Sequence, residues 1–267
     1  MSRLEGRLKE LDRVVVAFSG GADSAFLARV AHDSLGPGRV TCITAVSPSL
    51  AGEEEADCGA LAAEWGLEWR TVYTDEMENP KYVVNDAMRC FHCKSELMSA
   101  LGPVAEGSGA TVVLGVNLDD LGDHRPGQQA AAALGAVFPL VDAGYTKQDV
   151  RMASRRLGLR TWDKPAAACL SSRIPYGTPV TLDVLKSVGR AESALRALGF
   201  AQLRVRHYGN LARIELEEAD MARAVAIRGE LVAAVSSAGY DYVTLDLAGF
   251  RSGNLNRALA PSDREGR

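Results

Sequence analysis

Residues 13–24 read RVVVAFSGGADS, and this stretch constrains the fold more than any other. RVVVAF is a short apolar, β-branched run of the kind that forms a buried parallel strand. SGGADS turns the chain, and AFLARVAHDSLG follows with helical spacing up to Gly36. Strand, glycine turn and helix in this order make an anion cradle. Glycines let the backbone turn tightly and aim its N–H groups at a phosphate. The helix N-terminus adds its dipole, and Ser19 and Ser24 add hydroxyls. Ser19, Gly20, Gly21, Asp23 and Ser24 are therefore candidate nucleotide-binding residues. The loop is not a Walker A loop, because the Lys-Ser/Thr ending is absent, and it is not GxGxxG.

The same alternation continues. Apolar runs at Val40–Val46, Glu68–Thr74 and Thr111–Val116 are separated by helical segments near 53–65 and 93–106. Strands alternating with helices predict an α/β fold, a parallel sheet covered on both faces, with the loops after the strands on one edge. Gly115, Asn117, Asp119 and Asp120 follow the fourth run and so fall on the edge that carries the phosphate loop. Asp119 and Asp120 are expected to hold Mg²⁺ or a ribose. A helix is predicted over 146–157, with Thr146 as its N-cap. From about residue 166 the pattern changes. A helix over 181–198, two short strands around the Gly209-Asn210 turn, a helix over 219–237 and a strand over 242–247 predict a smaller α+β domain. The expected division is thus 1–165 and 166–267.

Composition bounds the class. The chain has 267 residues, 47% of them hydrophobic, with a formal net charge of −4. Such a balance argues against a nucleic-acid scaffold, which shows a basic surplus. Residues 1–165 carry 17 Lys/Arg against 23 Asp/Glu, whereas 166–267 carry 13 against 11, so the second part is the better place for an anionic substrate. No apolar run reaches 18 residues, and the charged N-terminus has no signal-peptide core, which predicts a cytoplasmic, reducing location. A homo-oligomer is expected. The five cysteines are then metal ligands, reactive thiols or core residues rather than disulfides.

Cys90 and Cys93 form a CxxC, and Cys169 lies far downstream. A CxxC alone fits half a zinc site, a redox pair or part of an iron–sulfur site. Cys42 lies in a strand run and Cys58 in a helix, where burial is the expected role. Three thiolates at Cys90, Cys93 and Cys169 suit a [4Fe–4S] cluster with one open iron. Alternatively, Cys169 gives up its own sulfur, its thiolate favoured by nearby Lys164 and Arg173. Ser172 and Arg173 flank Cys169 and are candidates to hold a substrate phosphate or carboxylate. Arg204 and Arg206 alternate on one face of a strand and can meet one anion. Glu192 is a candidate metal ligand.

SGGxDS after a first strand resembles the signature of the PP-loop ATP pyrophosphatases (adenine nucleotide alpha hydrolase-like), which cleave ATP between its α and β phosphates and pass AMP to an oxygen. VVVAFSGGADSAFLARVA, RCFHCK, LGVNLDDLGDHRPG, FPLVDAGYTKQDVR, KPAAACLSSRIPYGTPV and RVRHYGNLARIEL together resemble the LarE family, sulfur transferases that mature the nickel-pincer cofactor of lactate racemase. The resemblance implies ATP and Mg²⁺ as cofactors and adenylation of a carboxylate of pyridinium-3,5-dicarboxylate mononucleotide, with sulfur then displacing AMP. It also implies that Arg125 contacts AMP. Some members resemble sacrificial donors, in which the cysteine at the position of Cys169 becomes dehydroalanine. Others carry an additional CxxC, as here, and resemble cluster-dependent enzymes. A tRNA thiolase, an ammonia-using ligase and a zinc-bearing regulatory module are the competing readings.

Overall fold

The computed structural model describes residues 1–122, 126–165 and 168–251. Along the chain come α1 (Ser2–Leu11), β1 (Val14–Ala17), α2 (Ala22–Leu35), β2 (Val40–Val46), α3 (Gly52–Trp65), β3 (Trp69–Tyr73), α4 (Pro80–Val83), α5 (Arg89–Ser108) and β4 (Thr111–Leu114). Then follow α6 (Pro126–Ala133), α7 (Pro139–Asp142), α8 (Lys147–Arg156), α9 (Leu182–Ala197), β5 (Leu203–Tyr208), β6 (Leu211–Leu216), α10 (Glu218–Ala226), α11 (Arg228–Ser236) and β7 (Tyr242–Leu245). The chain forms two compact units, one of Met1–Glu76 with Cys90–Ala167, the other of Met77–Arg89 with Ala168–Arg267. The segment 77–89 thus groups with the C-terminal part of the chain.

The first unit is built on a parallel sheet of order β3-β2-β1-β4. Alternate residues of the strands feed two cores, as the two-residue period of a strand requires. Val14 and Val16 pack with Phe26, Val30 and Leu61 of α2 and α3, while Val15, Val112 and Leu114 pack with Leu97, Leu101 and Ala105 of α5. The expected parallel sheet with helices on both faces is present. The chain leaves β1 toward β2 and β3 and returns on the other side as β4. The gap between the C-terminal ends of β1 and β4 is therefore a topological switch point, where open α/β sheets bind ligands. The predicted N-cap of α8 is also present: Thr146 Oγ1 accepts from Asp149 N and the Asp149 carboxylate accepts from Thr146 N, a reciprocal capping box.

In the second unit β5 and β6 form an antiparallel hairpin, and β7 adds parallel to β6. Leu203, Val205, Ala212 and Ile214 on one face pack against Leu195 of α9 and Leu231 and Val235 of α11. The single helix expected over 219–237 is two, broken at Ile227, whose backbone (φ −100°, ψ 25°) leaves the helical region. Among the described residues no helix is long and apolar enough to cross a membrane.

Candidate functional site

The Ser19–Ser24 loop is held by the end of the strand before it. Phe18 at the end of β1 gives its carbonyl to Thr44 Oγ1 (2.7 Å), so the strand end is fixed before the turn begins. Ser19 Oγ and Ser24 Oγ lie 3.0 Å apart, and Ser24 Oγ accepts from Ser19 N (3.2 Å), closing the loop into a ring. Gly20 has φ +66°, and a Cβ there would lie 2.9 Å from Cys58 Sγ. Both conformation and space therefore demand glycine. Among the described residues no side chain caps α2 at Gly21, and the first N–H groups of a helix have no intrahelical partner and suit an anion.

The loop after β4 meets the first directly. A Cβ on Gly115 would stand 2.7 Å from Ser24 N and 2.8 Å from the carbonyl carbon of Asp23, so only glycine lets the two backbones approach this closely. Asn117, fully buried, donates from Nδ2 to Asp23 Oδ1 (3.0 Å). Burial, with Asp120 adding to it, raises the Asp23 pKa above its ordinary value, against the Asn117 hydrogen bond and the charges of Lys147 and Arg151. Asp120 Oδ2 accepts from Asn117 N (3.2 Å), and Asp119 Oδ2 accepts from Lys147 N at the start of α8 (2.7 Å). These carboxylates shape the loop that follows β4. Among the described residues no three His, Cys, Asp or Glu side chains converge as a ready metal site. The donor chemistry of Asp23 and Asp120 nonetheless suits Mg²⁺, which takes one or two carboxylates and completes its shell with substrate phosphates and water. Arg125 lies outside the described residues.

Lys164 is held against α3. Its ammonium pairs with Asp57 (2.7 Å) and Glu54 (2.9 Å) on α3, and stands 3.7 Å from where a side chain on Gly20 would begin. Nothing in the loop's own sequence pointed to this cation.

Cys90 and Cys93 sit one turn apart at the start of α5, Cys90 exposed and Cys93 half-buried, both unbridged. Cys42 and Cys58 are buried, and burial pushes the Cys42 thiol up to about 12. Neither is a thiolate at neutral pH.

In the second unit, Cys169 is exposed and sits at the N-cap of a short 3₁₀ turn, Leu170–Arg173. Arg173, expected to meet the substrate, is 2% exposed and is spent on the turn itself. Its Nη1 donates to Ala168 O (2.6 Å), Cys169 O (3.1 Å) and Ser172 Oγ (2.9 Å). Its other donors form a two-pronged pair with Glu192 (2.7 and 2.9 Å). Glu192, expected as a metal ligand, is fully buried, and both oxygens are taken, by Arg173, by Arg196 (3.2 Å) and by Val205 N (3.0 Å). Its present contacts make it the anchor of the Cys169 turn.

On the sheet face away from the apolar core lie Arg204, Arg206, Arg213 and Glu215, with Arg204 opposite Glu215 and Arg206 opposite Arg213. Arg206 bonds Glu215 (2.7 Å) and Ser172 O (2.7 Å), and its Nε is buried with no partner among the described residues. Burial, reinforced by repulsion from Arg173 and Arg206, brings the Arg204 pKa down to about 10. The repulsion that Arg173 and Arg206 exert on Arg204 is of the kind a nearby anion relieves.

Segment 77–89, to which no role was assigned from sequence, secures the Cys169 loop. Asn85 is fully buried at φ +60°, and its Nδ2 donates to Pro175 O (2.8 Å) and Thr178 O (2.7 Å). Arg89 Nη1 donates to Asn85 Oδ1 (2.6 Å) and Ser171 O (2.8 Å), and the Tyr82 and Ser171 hydroxyls lie 2.6 Å apart.

A central parallel strand ending in a glycine loop, beside a second loop at the switch point, defines an α/β protein whose core is consistent with the PP-loop type. No family model matches the chain. It is 39% identical over 257 residues to the pyridinium-3,5-bisthiocarboxylic acid mononucleotide synthase of Lactiplantibacillus plantarum, covering 96% of this chain and 93% of that one. An uncharacterised Synechocystis protein is 51% identical over 94% of each chain, and one from Methanocaldococcus jannaschii is 26% identical over 94% of this chain. The chain belongs to the family of the synthase, the LarE-like sulfur transferases, which are enzymes.

Proposed function

We propose that the protein is an ATP-dependent, AMP-forming sulfur transferase that converts the carboxylates of pyridinium-3,5-dicarboxylate mononucleotide to thiocarboxylates. The observation that carries this reading is the 39% identity to the named synthase over 96% of the chain. In this reading residues 1–165 adenylate and residues 166–267 hold the substrate and its sulfur-bearing turn. ATP lies with its phosphates on Ser19–Ser24 and Mg²⁺ on Asp23 and Asp120. Gly115 and Asn117 keep the second loop against the first. A substrate carboxylate oxygen attacks the α-phosphorus, the α–β bridging bond breaks, and pyrophosphate leaves with both electrons of that bond. The loop amides and the α2 dipole stabilise the negative charge that develops there. Arg204, Arg206 and Ser172 bind the substrate's anionic groups, and Arg173, locked on Glu192, orients the Cys169 turn as a positioning residue. This arrangement contributes mainly by placing groups for reaction.

Cys90, Cys93 and Cys169 supply three thiolates, the donor set for a [4Fe–4S] cluster with one open iron, which when bound would present sulfide as the nucleophile. The exposure of Cys169 favours a second reading. Its thiolate attacks the acyl adenylate and AMP leaves. Loss of the Cys169 α-proton then breaks the Cβ–S bond, giving the thiocarboxylate and dehydroalanine, one sulfur per chain.

The test is anaerobic purification with measurement of iron, acid-labile sulfide, AMP and the mass of the Cys169 peptide. About four irons per chain, lost in C90A, C93A and C169A, support the cluster reading. An iron-free protein that makes AMP once and leaves Cys169 lighter by the mass of H₂S sinks it in favour of the sacrificial one. A protein that forms no AMP with the pyridinium substrate overturns the proposed function altogether.

A further inference from the structure

The phosphate loop lacks a lysine of its own, unlike a Walker A loop, so the negative charge of a polyphosphate must be met by groups from elsewhere in the unit. Two cations, Lys147 and Arg151 on α8, act electrostatically on Asp23. Lys164 Nζ stands 3.7 Å from the position of a Gly20 Cβ. Its side chain is 19% exposed and its ammonium is bound by Glu54 and Asp57, both in the first two turns of α3. Arg160 also binds Asp57 (2.7 Å) and holds Glu64 (2.9 Å), so Asp57 would keep a cationic partner if Lys164 moved.

We infer that Lys164 is the phosphate-loop cation of this protein, held beside Gly20 by Glu54 and Asp57 and shared with the polyphosphate of ATP when the nucleotide binds. This rests on the nucleotide reading of Ser19–Ser24 given above. The physical case is one of supply and competition. An ammonium already desolvated and placed needs little reorganisation to meet a phosphate oxygen. The two carboxylates keep it charged and fix its position, and they also compete with the phosphates for it. Removing one competitor should strengthen polyphosphate binding, whereas removing the cation should weaken it. A lysine that served only to pin the chain to α3 would show neither effect.

The experiment is titration of the full-length protein with α,β-methylene-ATP, which cannot be cleaved at the reacting bond, and with adenosine as a ligand that has no phosphate. Expected results are a dissociation constant for the ATP analogue raised about tenfold or more in K164M, largely restored in K164R, and lowered several-fold in E54Q, with adenosine affinity changed in none. Thermal melting of each variant identifies any that fails to fold, and K164R keeps the test decisive if K164M does. If all variants bind the analogue like the parent, or if E54Q weakens it as much as K164M, the inference falls while the nucleotide reading stands. If the parent itself binds neither the analogue nor adenosine, the nucleotide reading falls and takes the inference with it.

Discussion

Replacing Glu192 by Gln separates an anchoring carboxylate from a metal-binding one. In the native protein the carboxylate neutralises Arg173 through two short contacts and lies within reach of Arg196, all in a fully buried position. Glutamine keeps the shape and one acceptor oxygen, but its NH₂ must face a guanidinium N–H, donor against donor. Removing one partner of a buried ion pair costs about 3–5 kcal/mol. The loss should be at the upper end here, because Arg204 and Arg206 already press on the same region. The midpoint of thermal unfolding should drop on the order of 10 °C, with no metal added and with the parent unaffected by chelator. The pH dependence gives a second readout. Burial alone would raise the Glu192 pKa, but the Arg173 hydrogen bond and charge bring it below the ordinary glutamate value. A folded value below the unfolded one means stabilisation that is complete above the unfolded pKa, about 4.3, and lost as pH falls through the folded pKa. The parent should therefore lose stability on acidification below about pH 4.3 more steeply than E192Q. Scanning calorimetry across pH measures both. An E192Q protein melting within about 2 °C of the parent, or a parent destabilised by chelator to the same extent, would refute the anchoring role.

Further outcomes are expected at the two loops. Gly115→Ala places a methyl 2.7 Å from Ser24 N, so the loops must part. Pyrophosphate release should fall by about 100-fold while folding loses only about 1–3 kcal/mol, read by a coupled phosphate assay and by denaturant unfolding. Wild-type turnover in G115A would show that the loops do not act together. Asn85→Ala removes the donor for Pro175 O and Thr178 O, and should destabilise the second unit by about 3 kcal/mol. Asn85→Gly should recover about 1 kcal/mol of this, because glycine tolerates the positive φ that alanine resists. Equal losses in the two would mean that backbone conformation plays no part. Arg206→Ala should weaken binding of the anionic substrate about tenfold or more, with ATP-analogue affinity unchanged, as titration with each ligand would reveal.

Much of the first unit was legible because local chemistry and sheet topology agree. The run Val14–Phe18, the glycine turn and the helical spacing after it each point to one strand–turn–helix, and the alternation of later runs places Gly115 on the same edge. What sequence did not disclose were partnerships made at long range. Glu192 and Arg173 are 19 positions apart on different elements, and no periodicity links them. A carboxylate on a helix reads equally as a ligand, a surface group or an ion-pair partner. Asp119 looked like a metal ligand, and its Oδ2 bond to Lys147 N depends on the turn before α8. The ammonium of Lys164 is held by Glu54 and Asp57 of α3, 110 and 107 positions away, a pairing no local pattern announces. The break at Ile227 lies two residues before Gly229, and a lone glycine inside a helical pattern is compatible with an unbroken helix, so the apolar spacing alone predicts one helix through it.

The grouping of Met77–Arg89 with Ala168–Arg267 has a practical consequence for anyone dissecting this protein. The C-terminal unit is not a contiguous stretch of gene. A fragment beginning at residue 168 would carry Cys169 and the arginine layer, but it would leave the carbonyls of Pro175 and Thr178 and the hydroxyl of Ser171 without Asn85 and Tyr82. Such a fragment should be soluble only if segment 77–89 is spliced back or supplied as a peptide. During synthesis, likewise, Asn85 and Arg89 leave the ribosome roughly ninety residues before the loop they serve, so that loop can be ordered only late, after nearly all of the first unit has been made.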